Sequence, residues 1–415
     1  MKKFTLLTLI LILLLSLILL RGNYIISLLY LCYVFIKTSF TQNSNILQII
    51  DLPFIDNVSS VLLLFISLFV VVFSKSINKK LQQKINFINI VITLLLMCFL
   101  FAPIITVQHP DFQKNISVTK LLHPFSSVEY VRFKNENNPI TEKDKLISLY
   151  NSVIYKPYDE NIIFFDSSQT DTEFKCFQAG EEIVIDKSLL VTDGKEIKIY
   201  NKFFPLGTDE FGRDVFTRII FGSRISLLVG FFAVLISFLL GIILAYIATQ
   251  SGRLLNIVIS RLTDLFLTVP AIFFVLLFLA FFGNNLISVI LVLGFTGWMS
   301  LFKIAKSEMI SVKQKEFFLT AKLIGLNKRE LLIKEILPVI IVPVIVNLIF
   351  QFSNVILAES ALSFLGLGTG NEYSSWGRMI QSGQRYLSEA WWLVIIPGLV
   401  LIITLLAINE AGRKL

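Results

Sequence analysis

Charge is scarce in this chain. Only 16% of its 415 residues are Asp, Glu, Lys or Arg, while 55% are hydrophobic and the mean hydropathy is +0.76. A soluble domain carries about a quarter charged residues, so that class is excluded. Histidine is limited to His109 and His123, and the three cysteines are Cys32, Cys98 and Cys176. Two of those cysteines sit in apolar runs and one in a polar region, so no pair is poised for a disulfide. With no clustered Cys and His, neither a metal nor any other cofactor is expected. The chain also lacks a GxxxxGK[ST] loop and an HExxH, which leaves no nucleotide or metalloprotease chemistry legible.

Long apolar runs are what the chain has instead. Candidate spans fall at residues 4–20, 58–73, 85–107, 225–249, 255–282, 286–302, 339–358 and 391–409. Several reach or approach the ~20 residues needed to cross a bilayer. A further apolar stretch at 24–36 is short for a span unless it borrows from its flanks, and reads as an interfacial or re-entrant helix. Met1-Lys2-Lys3 and the apolar run after it have the outline of a signal peptide. Arg21-Gly22-Asn23 follows in place of a small-residue cleavage site, so a retained anchor is expected.

The net charge of +8 raises nucleic acid as a partner, but much of the basic charge borders the spans. Lys75, Lys79, Lys80 and Lys84 have no acid among them, and 303–335 holds eight Lys/Arg against four Asp/Glu. Basic segments of this kind mark the cytoplasmic face. The reading is therefore a lipid bilayer, no nucleic acid, and both termini in the cytoplasm. Residues 108–205 then lie outside. There Glu142 to Asn151 reads as a helix, and Glu182–Asp186 with Lys195–Tyr200 as a hairpin about the turn Thr192-Asp193-Gly194. The expected fold is an all-α polytopic membrane protein of about 8 transmembrane helices with a small α+β extracytoplasmic insertion.

Three constellations stand out. Glu316, Phe317, Thr320, Ala321 and Gly325, closed by Ile336, Leu337 and Pro338, form a charged segment between apolar runs. Gly325 can end a helix in the left-handed conformation, Asn327 can cap a second one, and Pro338 interrupts or redirects it. Ala321 and Gly325, four apart, share a face on which another protein could approach closely. A basic helix lying on anionic lipid is the plainer alternative. The second is Gly207-Thr208-Asp209 with Gly212-Arg213-Asp214, running to Arg224. Thr208 or Asp209 is expected to cap a helix from Glu210, with Asp214 and Arg218 paired one turn apart. The third is Asn347, Gln351 and Asn354, which line one stripe of a span, either as a wetted path for solute or as helix–helix hydrogen bonds. Arg261 and Asp264, near the cytoplasmic end, carry the same two readings, a functional pair or a structural one.

The first segment resembles the EAA loop of ABC-importer permeases, although Thr320 stands where that family usually has alanine. The second is similar to the LGTDxxGRDxxSR signature of the peptide and nickel class. That resemblance continues through Arg261-Leu-Thr-Asp264, Gly294-Phe-Thr-Gly297-Trp298, Glu359 to Gly368, Ser375-Trp-Gly377 and Pro397-Gly398. It implies a "C"-type permease subunit with a type I ABC-importer core at 206–415 and a coupling loop at 303–338. Residues 85–107 would be the first core-type helix, 108–205 an inserted domain, and 1–84 an extension with extra helices. It further implies a second permease subunit, two cytoplasmic ATP-binding subunits, an extracytoplasmic solute-binding protein and a bacterial inner-membrane location. Such a chain would not itself be an enzyme. Peptides are the expected solute, with a nickel chelate or a sugar as alternatives. An ATPase-independent secondary transporter, or an anchored sensor, would be a different class of protein.

Overall fold

The computed structural model describes residues 5–41, 51–73, 85–134, 142–155, 161–170, 174–193, 196–370 and 373–414. The basic run 75–84, the turn residue Gly194 and Glu372 lie outside them. Among the described residues, seven helices are long and apolar enough to cross a membrane, or eight if one bent pair counts as a span. The chain divides into two compact units: residues 1–224 with 382–396, and residues 225–381 with 397–415.

In the first unit, α1 runs over Leu6–Thr41, α2 over Leu52–Phe73 and α3 over Phe87–Ile105. The stretch 24–36 directly continues α1, past a kink at the non-helical residue Arg21. At 1.5 Å per residue α1 is about 54 Å long, well beyond a ~30 Å hydrocarbon core. Arg21 marks the break for a reason. Its guanidinium donates to Ile104 O at 2.8 Å and Thr106 O at 2.7 Å, satisfying carbonyls at the end of α3. Beyond Arg21, α1 packs on α4 (Glu142–Val153), where Lys145 lies over the Tyr30 ring; Tyr150 of α4 also stacks on Phe54 of α2 and donates to Asp51 just before α2.

Among the described residues, the insertion folds as two three-stranded sheets and a two-stranded ribbon. In the first, β1 (Ser126–Arg132) is central between β2 (Ile162–Phe165) and β8 (Tyr200–Phe204), antiparallel to both. In the second, β4 (Phe174–Gln178) lies between β3 (Ser167–Thr170) and β5 (Glu181–Ile185). Side-chain alternation puts Val128 with Phe164 and Phe204 on one face of β1, and Val131 with Phe165, Phe174 and Cys176 on the other. The expected hairpin is corrected in part. Glu181–Ile185 pairs with β4, and only β6 (Thr192–Asp193) and β7 (Glu196–Ile197) pair across 194–195. Phe174 and Cys176 offer β5 a buried apolar face that the short, exposed β6–β7 ribbon does not.

The second unit holds most of α5 (Val215–Gln250), then α6 (Arg253–Thr268), α7 (Ala271–Phe282), α8 (Leu286–Lys313), α9 (Glu316–Leu323) and α10 (Leu337–Phe364). α11 (Trp376–Gly383) and α12 (Trp392–Arg413) each cross between units. The run expected as one span at 255–282 is broken: α6 and α7 meet at 88°. Pro270 is the cause, since it forces the preceding Val269 into extended backbone at ψ 126°. Pro338 has the opposite outcome to the one expected. The chain widens into a π turn at Leu331–Ile336, where Leu337 N–H reaches back to Leu332 O, and Pro338 enters as an early residue of α10. The wider turn absorbs the missing N–H, so the helical path continues.

Candidate functional site

The 316–338 segment is held stiffly at both of its joints. α9 ends at Gly325 with φ +94°, where Leu326 N–H bonds Ala321 O at 3.3 Å and Gly325 N–H bonds Lys322 O at 3.2 Å. These two bonds are the Schellman pair, which requires the left-handed glycine. Two residues later Asn327 and Glu330 exchange bonds as a capping box, 2.9 and 3.2 Å. Lys313 donates to Thr249 O and Tyr246 to Lys328 O, which fasten the segment to α5.

Its surfaces differ from the simple helical-face expectation. Ala321 and Phe318 are buried, within a cluster that includes Met309 and Leu331. Ala321 therefore does not share an open face with Gly325; it seats α9 on its own unit. Glu316, Phe317, Thr320, Leu323, Ile324 and Gly325 are exposed, with Leu323 at 87% and Ile324 at 77%. Ile336 is buried, Leu337 half-buried and Pro338 exposed.

The glycine-rich signature forms a tight loop, not a helix from Glu210. Asp209 accepts from Phe211 N and Arg213 N, each at 2.9 Å, while Gly207 and Gly212 take positive φ of 75° and 74°. A Cβ on Gly207 would lie 2.3 Å from Leu122 O, and one on Gly212 2.1 Å from Thr119 Oγ1. Thr208 is buried and bridges Thr119 O and Leu122 N. The expected Asp214–Arg218 pair is corrected as well. Asp214 is the cap of α5, accepting from Thr217 Oγ1 at 2.6 Å and Phe216 N at 3.2 Å. Arg218 instead meets Asp209, as does Arg213 at 2.7 Å. Asx geometry at Asp209 outcompetes a helical turn because it satisfies two backbone donors and two guanidinium groups together.

Asn347, Gln351 and Asn354 come together on α10, lining a cavity of about 530 Å³ with Thr296, Gly297 and Ser300 of α8. Asn347 Oδ1 and both amide atoms of Gln351 have no hydrogen-bond partner among the described residues. Helix–helix bonding therefore does not account for this stripe. Gly297 makes room for it: a Cβ there would lie 1.9 Å from Gln351 Nε2 and 2.5 Å from Ser237 Oγ. Buried, unmatched amides beside a cavity must meet water or a polar solute. Asp264, by contrast, pairs with Lys303 of α8 at 2.9 Å rather than with Arg261.

Comparison with known proteins bears on the same region. Residues 217–411 match the family described as "Binding-protein-dependent transport system inner membrane component". A dipeptide transport system permease protein, DppC, of Alkalihalophilus pseudofirmus is 35% identical over 209 residues, spanning 50% of this chain and 69% of that protein. The di/tripeptide permease protein DppC of Pseudomonas aeruginosa is 34% identical, with 51% and 70% covered. The oligopeptide permease protein OppC of Escherichia coli is 34% identical, with 50% and 69% covered. The chain belongs to this transport-permease family.

As a multi-pass inner-membrane permease, it also holds a polar cluster around Glu359, a residue whose role the sequence alone does not disclose. Glu359 is fully buried in α10 and accepts from Ser363 Oγ at 2.7 Å, Ser226 Oγ at 3.1 Å and Ser360 Oγ at 3.4 Å. Ser375 adds a bond to Ser363 at 3.2 Å. Glycines permit the approach: a Cβ on Gly368 would lie 1.9 Å from Ser363 Oγ, and one on Gly377 2.3 Å from Ser360 O. The signal was present, since an acid followed by serines at i+1 and i+4 places hydroxyls around one carboxyl. Gly297, quoted within the resemblance, likewise had no role assigned. A glycine inside a span becomes informative once its neighbour across the helix pair is known.

Proposed function

We propose that this permease is one of two membrane subunits of an ATP-driven importer of di- and oligopeptides. Phe317, Leu319, Leu323, Ile324 and Ile333 expose apolar surface on an otherwise charged segment, and that observation carries the reading. Apolar patches rimmed by charge are protein-docking surfaces. A cytoplasmic ATP-binding subunit docks there, at Glu316, Phe317, Thr320, Gly325 and the turn leading to Pro338. ATP hydrolysis belongs to that partner, and this chain catalyses nothing.

The Schellman joint, the capping box and the buried Ala321 make the segment a lever rather than a flexible tether. Closure of the ATP-binding subunits shifts the permease between two access states only if the assembly binds them with different affinity. The cavity beside Asn347, Gln351 and Asn354 serves as part of the solute path. Neutral amides pair with peptide N–H and C=O groups whatever the side chains, which suits a carrier of varied peptides. Selection then falls to an extracytoplasmic solute-binding protein, and a second permease chain completes the path.

In this reading 206–415 is the permease core, 85–107 its first helix, 108–205 an insertion outside the membrane and 1–84 an extension with additional spans. Both termini are cytoplasmic, as the basic segments require. The test is Ile324→Glu. It inserts normally, because the position is exposed, yet it loses co-purifying ATP-binding subunit and lowers dipeptide uptake at least tenfold. Unchanged uptake and co-purification would overturn the docking assignment. A solute panel run on the unmodified complex separates peptide from nickel chelate and sugar.

A further inference from the structure

The insertion carries a cavity of its own, of about 460 Å³, whose lining lies outside the family match at 217–411 except for Thr217. Its floor is one face of the β2–β1–β8 sheet. Cross-strand register sets Lys202 opposite Val128, Tyr130 opposite Tyr200, and Arg132 opposite Ile162, so their side chains emerge together. The cavity is bounded otherwise by the chain just after α3, at Val107 and Gln108, and by the start of α5.

Lys202 is the anomaly in this site. Its Nζ is buried and has no hydrogen-bond partner among the described residues. Its neighbours are aromatic faces, with the amine 4.9 Å from the Phe204 ring centre and 5.4 Å from that of Phe112. Ring faces compensate a cation only in part, and an ammonium has three donors to place. Asp214 is the acid in the lining, and its oxygens already accept from Phe216 N, Thr217 N and Thr217 Oγ1. Arg132, a second cation in the lining, lies over the rings of Tyr130 and Tyr200 at 5.8 and 5.2 Å. Two cations, one committed acid and neutral polar groups at Gln108 and Asn201 leave one negative charge wanting.

We infer that this cavity binds the oxyanion, carboxylate or phosphate, of a small amphiphilic molecule, with the Lys202 ammonium as its charged partner. The apolar wall formed by Ile105, Ile162 and Phe164 takes the molecule's apolar body. Burial independently holds the Lys202 amine down to about 8, with the Asp214 carboxylate opposing that shift. A bound oxyanion reverses the balance and raises it. The inference does not depend on how the 316–338 segment is coupled.

The oxyanion has two sources, a solute carboxylate or the phosphate of an anionic lipid, and one experiment separates them. Lysines of the full-length protein in phosphatidylcholine nanodiscs are reductively methylated with 13C, which keeps their charge. The Lys202 resonance is assigned by its absence in Lys202→Arg and titrated against pH. Without ligand its midpoint lies near 8, well below the ordinary lysine value. N-acetylphenylalaninate raises the midpoint by about one unit or more, a tenfold preference for the ammonium form. The uncharged N-acetylphenylalanine amide does not. If phosphatidylglycerol in the nanodisc moves it and the carboxylate does not, the oxyanion is that of a lipid. The inference is overturned by a midpoint near the ordinary lysine value in every sample, or by one that neither carboxylate, inorganic phosphate nor phosphatidylglycerol moves.

Discussion

Gly297 shows how much of this permease rests on single small residues. Its Cα lies so close to Gln351 that any β-carbon would overlap the amide. Gly297→Ala is therefore expected to push the Gln351 side chain from its place beside the cavity without removing a charge or a hydrogen bond. Uptake should fall severalfold while the protein still inserts and purifies with its partners. Gln351→Ala in the same background should restore part of the loss by relieving the overlap. If Gly297→Ala transports normally, the amide stripe is not part of the path. The stripe itself was legible, because amides at i, i+4 and i+7 share one face of a helix, although the residues alone left a wetted path and helix–helix bonding both open. Their partner glycine was not, since close approach between helices leaves no periodic trace in sequence. Lys202 was illegible for a related reason: an alternating strand reads the same whether its lysine faces water or a cavity.

Helix ends and helix breaks separated into those that sequence dictates and those that packing decides. Gly325 and Asn327 behave as their local chemistry requires, one at positive φ and the other as a cap. The two prolines did not share a fate. Pro270 follows an extended residue and splits a span, whereas Pro338 sits after a π turn that accommodates it. Nothing in the residues alone separates these outcomes, because the π turn depends on Leu331 and Ile336 being buried at once. The joint at Gly325 yields a discriminating pair of variants. Gly325→Asn can still adopt the left-handed backbone and should keep most uptake, whereas Gly325→Val cannot do so without strain. Gly325→Val should uncouple transport by tenfold or more with insertion intact. Equal uptake by the two variants, measured at matched membrane levels, would mean the joint has no mechanical role.

Across the first unit, arginines join helices far apart in sequence. Arg224 of α5 donates to Phe99 O at 2.6 Å, the carbonyl that Pro103 leaves without a helical donor, and it pairs with Asp56 of α2 at 2.5 Å. Arg21 binds the end of the same α3. The helices of 1–84 are thereby fixed to the helix that precedes the insertion. The spans were readable from hydropathy, yet these links were not, because a guanidinium beside a span carries no mark of its partner. The two units also divide within α5, α11 and α12, so sequence-based domain limits and compactness follow different lines. The account as a whole stands on the exposed tip of the 316–338 segment being cytoplasmic and covered by an ATP-binding subunit. A single cysteine at Ile324, with Cys32, Cys98 and Cys176 replaced by serine, tests this through a membrane-impermeant maleimide. The predicted result is labelling in inverted vesicles but not in intact cells, with loss of labelling when the ATP-binding subunit is present. Labelling from outside intact cells, or labelling indifferent to that subunit, would contradict it.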